Sequence, residues 1–321
     1  GIYRGFVSKD YPDFLLPPNA LPLIQVKVAS SRLRPSRNSY LGPRPFDEEP
    51  VFTLSVFSRS KNLELWRVEK VIAALPHLDQ HIRQLCSFGG KLPDRSIFTG
   101  HSPAKVDARR AALNAYFDAL LDTPMDEKAA AVVCEFLSSD AIEPRDDETS
   151  LVGSGGHERH EPLRGPDGKP WKEGYLTKRG KNFGGWKARY FVLQSSELKY
   201  FETPGGPHMG TIKIQHAQIG KQSEKVNSQS HSPSRVDDDT ENEYRHAFLI
   251  LEPKKKDSSA LVRHVLCAES DEERDAWVEA LLEHVESRAE NEGSYLAAKG
   301  YPQVQERQTT NVTGKPKIFP G

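Results

Sequence analysis

Cysteine is scarce in this sequence: Cys86, Cys134 and Cys267 are the three among 321 residues, none in a C-x-x-C spacing and each among apolar neighbours. That excludes a disulfide framework and reads as buried, reduced thiols of a cytosolic chain. Long apolar runs are missing too. Nothing approaches the roughly 18–20 residues that span a bilayer, and the first residues lack a basic-then-apolar secretion signal, so any membrane contact is expected to be peripheral. Without a secretion route, the Asn311-Val312-Thr313 sequon carries no meaning. Charge of one sign is absent in bulk, 44 Lys and Arg standing against 45 Asp and Glu, which excludes nucleic-acid binding by overall charge. Catalytic signatures are absent as well: there is no G-x4-G-K-[ST] loop, no G-x-S-x-G elbow and no H-E-x-x-H pair. His157 and His160 are three apart in a glycine-rich segment but have no third or fourth ligand, so neither a metal nor a cofactor is expected.

What the chain does have is a concentrated basic stretch at 171–201, WKEGYLTKRGKNFGGWKARYFVLQSSELKYF, with seven Lys or Arg against two Glu. Tyr175, Tyr190, Phe191, Val192, Leu193 and Tyr200 lie on either side of Gly180 and Gly184-Gly185, which reads as strand, basic loop, strand, short turn, strand. Side chains at i and i+2 of a strand share a face, so Lys187 and Arg189 point the same way, and a hairpin folds Lys178 back beside them. Clustered cations of this kind suit a ligand carrying several phosphates.

Lys178, Lys187, Ala188 and Arg189 fit the K…(K/R)-x-R pattern of phosphoinositide-binding pleckstrin homology (PH) domains. Lys172-Glu173-Gly174-Tyr175-Leu176 is similar to that family's opening strand, and SDEERDAWVEALLEHVE, with Trp277, to its closing helix. Ser270 and Glu273 form a capping box for that helix, whose Trp277, Val278, Leu281, Leu282 and Val285 make one apolar face. Further strands are read at 211–214, 245–251 and 261–267. The resemblance implies a seven-stranded β-barrel capped by a C-terminal helix over 170–287, with a head-group site made of Lys178, Arg179, Lys181, Lys187, Arg189 and Tyr200. A polar insertion at about 221–243 interrupts it, ending in the acidic RVDDDTENE and containing Ser232-Pro233, a candidate phosphosite.

Upstream, Ile24, Val26 and Val28 alternate with Gln25 and Lys27 as a half-buried strand does, followed by strands at 51–57 and 63–67. From Val68 the period becomes helical through Val71, Ile72, Leu75, Leu78, Ile82 and Leu85, with Pro76 expected to kink or divide the helix. Ser102-Pro103 opens a second helix and Ala129, Val132, Val133, Phe136 and Leu137 stripe a third. Three strands, helices and a proline-bearing loop over 21–141 resemble the phox homology (PX) domain, a three-stranded antiparallel sheet with a helical subdomain. The fold class expected for the whole chain is therefore α+β.

The PX resemblance implies a lipid site at Arg67, Lys91, Arg95 and Arg109, but Val68 and Glu69 stand where that family carries a phosphate-binding Arg and a Tyr. Valine donates nothing and a carboxylate repels phosphate, so a weak or atypical site is expected. An alternative places head-group contacts on an open face through Arg32, Arg34, Arg37 and Lys91.

Residues 1–20 are read as an extension, 142–169 as a linker and 288–321 as a tail. That tail's KPKIFPG resembles the approach to the catalytic domain in fungal Rho GTPase-activating proteins that carry PX, PH and then GAP domains. Arg4-Gly5-Phe6-Val7-Ser8-Lys9-Asp10-Tyr11-Pro12-Asp13-Phe14-Leu15 looks like the bud-emergence group among them. The H-x-K motifs of phospholipase D, another family with PX before PH, are missing. The resemblance implies a non-enzymatic targeting segment that docks on phosphoinositide membranes, phosphatidylinositol 4-phosphate or 3-phosphate being the expected lipids. It also implies a Rho-family GTPase partner met through a GAP domain outside this chain. Location would be cytoplasmic and peripheral, at the plasma membrane, sites of polarised growth or endosomal and Golgi membranes. The competing reading is a protein-interaction scaffold with incidental lipid binding.

Overall fold

A computed structural model describes residues 5–36, 48–142, 162–180, 185–222, 243–255 and 259–286. The chain divides into two compact units, 1–100 with 105–158 and 101–104 with 159–321.

In the first unit, a 3-10 turn at Pro18–Leu23 leads into β1 (Ile24–Arg34), which pairs antiparallel with β2 (Val51–Ser58); β2 pairs with β3 (Leu63–Val71). A two-residue β4 (Ala141–Ile142) adds a fourth strand along β3, one more than the sequence pattern suggests. β1 also runs six residues past Val28, where the alternation ends. Register shifts between Val28 and Ser30 and between Ser30 and Arg34 break the two-residue period without ending the strand.

Val68 and Val71 lie in β3, opposite Leu54 and Val51, and not in the helix that their spacing suggested. Helix α1 (Ala74–Leu85) begins three residues later, and at such a short junction the same valines satisfy both periods. Pro76 falls in the first turn of α1, where no intrahelical N–H bond is lost, so the helix is neither kinked nor divided there. α2 (Pro103–Asp122) and α3 (Glu127–Ser138) complete the unit, the latter capped by Asp126, whose Oδ1 accepts from the Ala129 N–H at 2.9 Å. Trp66 anchors the core, fully buried, with its Nε1–H donating to the Leu137 carbonyl at 2.7 Å. Among the described residues no helix is long and apolar enough to cross a membrane.

The second unit is one antiparallel sheet of seven strands in the order β8-β7-β6-β5-β11-β10-β9. They are β5 (Lys172–Arg179), β6 (Trp186–Gln194), β7 (Glu197–Phe201), β8 (His208–Lys213), β9 (Gln218–Lys221), β10 (Ala247–Pro253) and β11 (Leu261–Cys267). Short, polar β9 carries no alternation that would have revealed it. Glu252 of β10 accepts from the backbone N–H of Lys213 on β8, at 3.0 Å. Those strands stand on opposite sides of the hydrogen-bonded order, so that bond requires the sheet to curl until its far sides meet, as a barrel does. Leu176, Phe191, Leu198, Phe248 and Leu266 fill the interior, with Trp277 of α4 (Asp271–Leu282) packed among them at 1% exposure.

The cap of α4 follows the sequence closely. Ser270 Oγ accepts from the Glu273 N–H at 3.1 Å, while the Glu273 carboxylate reaches back to the Glu269 N–H at 2.7 Å, one residue before the expected cap nitrogen. Ser270→Ala is expected to lower the stability of this unit by about 1 kcal/mol, read as a shift in its urea midpoint.

Candidate functional site

The geometry of the basic hairpin follows from its register. Lys178 pairs directly with Lys187, and Leu176 with Arg189. Cross-strand partners and residues two apart share a face, so Lys178, Lys187 and Arg189 stand on the same side as the buried Leu176, Phe191 and Leu193. This is the concave side of the barrel. The three cations continue that face beyond the apolar core, at the end where the β5–β6 hairpin opens. Lys187 is exposed and Arg189 half-buried, its Nη1 donating to the Ala188 carbonyl at 3.0 Å. Among the described residues neither forms an ion pair with a carboxylate. Two lysines directly opposite repel each other, so the hairpin gains when an anion lies between them.

Tyr200 of β7 pairs with Phe191 and faces the same interior, its ring stacked on Phe191 at 5.2 Å. Burial raises its hydroxyl pKa, the field of Arg189 opposes that rise and the field of Glu252 adds to it. Gly210 is what lets the ring lie there: a Cβ at that position would stand 2.4 Å from the Tyr200 hydroxyl and 2.6 Å from Cζ. Gly210→Ala is therefore expected to displace Tyr200, destabilise the unit by about 1–3 kcal/mol and alter tyrosine fluorescence, measured on one thermal melt.

Arg179 leaves the group that the sequence assembled. It pairs with Trp186, on the opposite face from Lys178, and its guanidinium lies over the Trp186 ring at 5.6 Å, with Trp186 packed edge-on to Tyr244. Strand parity decides this, since adjacent residues point to opposite faces. Lys181 lies outside the described residues, as do Arg37, the insertion's Ser232, the His157–His160 pair and the C-terminal tail. Lys254 and Lys255 escaped the sequence reading: both are exposed where β10 ends, and the basic run Lys254-Lys255-Lys256 was the signal that could have found them. Glu252 and His264 were missed as well, because nothing local marks them.

The PX-type residues are placed very differently. Arg67 is 1% exposed and engaged by Glu64, whose Oε1 also accepts from Ser55 Oγ at 2.7 Å. Arg109 is fully buried. Its Nε donates to the Ser31 carbonyl at 2.9 Å and its Nη1 to the carbonyls of Ile97 and Gly100 at 3.0 and 3.1 Å. Val68 is in the core, and the Glu69 carboxylate, 4% exposed, accepts from Ser36 Oγ at 2.8 Å. Lys91 and Arg95 are exposed, Arg95 in a 3-10 turn capped by Asp94. The open-face alternative needs correction: Arg32 and Arg34 are 3% and 5% exposed, and Arg34 Nη2 donates to Thr53 Oγ1 at 2.7 Å.

Thiol chemistry has no support here. Burial pushes the Cys134 thiol up to about 12 and also raises that of Cys86. Among the described residues no His, Cys, Asp or Glu cluster could hold a metal.

Comparison with known proteins bears on the fold. Residues 170–286 match the family model of the PH domain. The chain is 24% identical over 290 residues to the GTPase-activating protein BEM3 of Saccharomyces cerevisiae, covering 87% of this chain and 22% of that protein. It is 27% identical over 195 residues to the probable Rho-type GTPase-activating protein 2 of Schizosaccharomyces pombe, covering 60% of this chain and 14% of that one. The chain thus spans about a fifth or less of the length of these relatives. The crystal structure of the tandem PX-PH domains of Bem3 from Saccharomyces cerevisiae superposes with a TM-score of 0.56 at 21% identity, covering 84% of this chain and 98% of that one.

Proposed function

We propose that this chain, a PX–PH tandem related to Bem3-type GTPase-activating proteins, is a membrane-targeting segment whose PH unit holds a phosphoinositide head group. The observation that carries this reading is the convergence of Lys178, Lys187 and Arg189 on one face at the open end of the barrel, with Tyr200 on the neighbouring strand of that face. Lys187 and Arg189 are the primary phosphate contacts, Lys178 opposes them across the hairpin, and the Tyr200 hydroxyl offers a hydrogen bond. Exposed Lys254 and Lys255 add attraction to any anionic surface. The full-length protein would then be a Rho-family GTPase activator, its GTPase engaged by a domain outside this segment.

The PX unit contributes little lipid affinity in this proposal, because Arg67 and Arg109 already serve internal oxygens and Glu69, two residues along β3 from Arg67, adds a carboxylate. That favours a second role for this unit, as a protein-docking or purely structural module. Sedimentation of the chain with vesicles tests the main reading. Phosphatidylinositol 4-phosphate or 3-phosphate vesicles are expected to pull down several-fold more chain than phosphatidylserine vesicles of equal charge. Equal pull-down would reduce the site to a nonspecific basic patch.

A further inference from the structure

The open end of the barrel is electrically one-sided. Cations stand on β5 and β6, whereas β11, which pairs with β5 on its other side, and β10 next to it present Glu252 paired with His264, Nε2 to Oε2 at 3.0 Å. Both belong to the concave face: Ile250 and Leu266 are core residues two positions away, and Ile250 pairs directly with His264. Glu252 is fixed from a second side, since its Oε1 accepts from the Lys213 N–H at 3.0 Å. Two hydrogen bonds, from β8 and from β11, hold this carboxylate in place beside the site. Tyr200 lies on β7, between β6, which carries Arg189, and β8, whose Lys213 N–H is held by Glu252. Lys254 and Lys255 lie farther out, exposed, where they attract every anionic lipid alike; Glu252 is 17% exposed and set deeper.

We infer that Glu252 is a specificity-determining residue, one that limits the site to head groups with a single phosphate beyond the diester by repelling a second phosphate on the β10 wall. The inference rests on the head-group reading above and adds the class of lipid to it. A monoester on the β5–β6 side meets only donors, whereas adjacent phosphates projecting across the site would bring the next dianion toward a fixed carboxylate.

The test uses the 321-residue chain, wild type and Glu252→Gln, which keeps an acceptor for the Lys213 N–H. Both are sedimented with vesicles of matched total charge carrying phosphatidylinositol 4-phosphate, the 4,5-bisphosphate or the 3,4,5-trisphosphate. Wild type is expected to favour the monophosphate, and Glu252→Gln to raise bisphosphate and trisphosphate affinity about tenfold while changing monophosphate affinity less than twofold. Competition by soluble inositol 1,4-bisphosphate and 1,4,5-trisphosphate separates the free head group from the lipid surface, and the variant should shift preference toward the trisphosphate. A wild type that prefers the more phosphorylated lipids, or a variant whose affinities move together, overturns the inference while leaving the head-group site standing. A variant that melts earlier but keeps its selectivity assigns Glu252 to the barrel alone and overturns it too. Binding to none of the phosphoinositides overturns both readings.

Discussion

Replacing Lys187 and Arg189 together by alanine is expected to cut sedimentation with phosphoinositide vesicles by at least about tenfold while moving the melting temperature by no more than about 2 °C. The loss follows from removing two charge-assisted contacts, each worth about 1.5–3 kcal/mol where it meets a phosphate. The melting temperature holds because Lys187 is exposed and Arg189 donates to the neighbouring Ala188 carbonyl, not to a distant element. Removing Lys187 also relieves its repulsion with Lys178 directly across the hairpin. By the same reasoning, wild-type binding is expected to fall steeply between low and high salt, a dependence the double variant should largely lose. Undiminished sedimentation of the variant would sink the proposed head-group site.

Arg109→Ala is expected to do the reverse, destabilising the first unit by about 3–5 kcal/mol with little direct effect on lipid binding by the folded protein. Its guanidinium joins three carbonyls from separate segments, Ser31 on β1, Ile97 in a 3-10 turn and Gly100 beyond it. Truncation leaves the buried Ser31 carbonyl unpaired, at about 1–3 kcal/mol, removes the tie to the part-buried Ile97 and Gly100 carbonyls, and opens a cavity. In calorimetry the transition of this unit should fall by about 10 °C or more. A ligand-facing arginine would behave otherwise, with melting preserved and vesicle binding lost. The two variants together separate the proposed phosphate contacts from a residue that holds the fold.

Local rules made much of the second unit legible. The i, i+2 spacing of Lys187 and Arg189 and the hairpin that returns Lys178 are period-two facts, and the observed register places them as that period requires. The Ser270 cap and the apolar stripe with Trp277 are equally local. Local period is ambiguous where two periods overlap, as at Val68 and Val71, and where a strand continues through register shifts, as in β1 beyond Val28. Arg179, which the family resemblance puts in the head-group set, turns to the other face because neighbours on a strand point opposite ways.

By itself, then, the sequence determined two αβ units, the positions of the basic hairpin and the capped helix, and the absence of recognised catalytic motifs. Each of those depends on residues within a turn or two of one another. Tertiary structure alone decided which charges stay exposed and which are buried. Arg67, Arg109, Arg32 and Arg34 are cations like any others until the fold buries them, and Glu252 acquires its place only because the sheet curls enough to bring β10 against β8. A side chain's availability is set by partners that the chain brings near from far along its length, and a linear pattern carries no record of those distances.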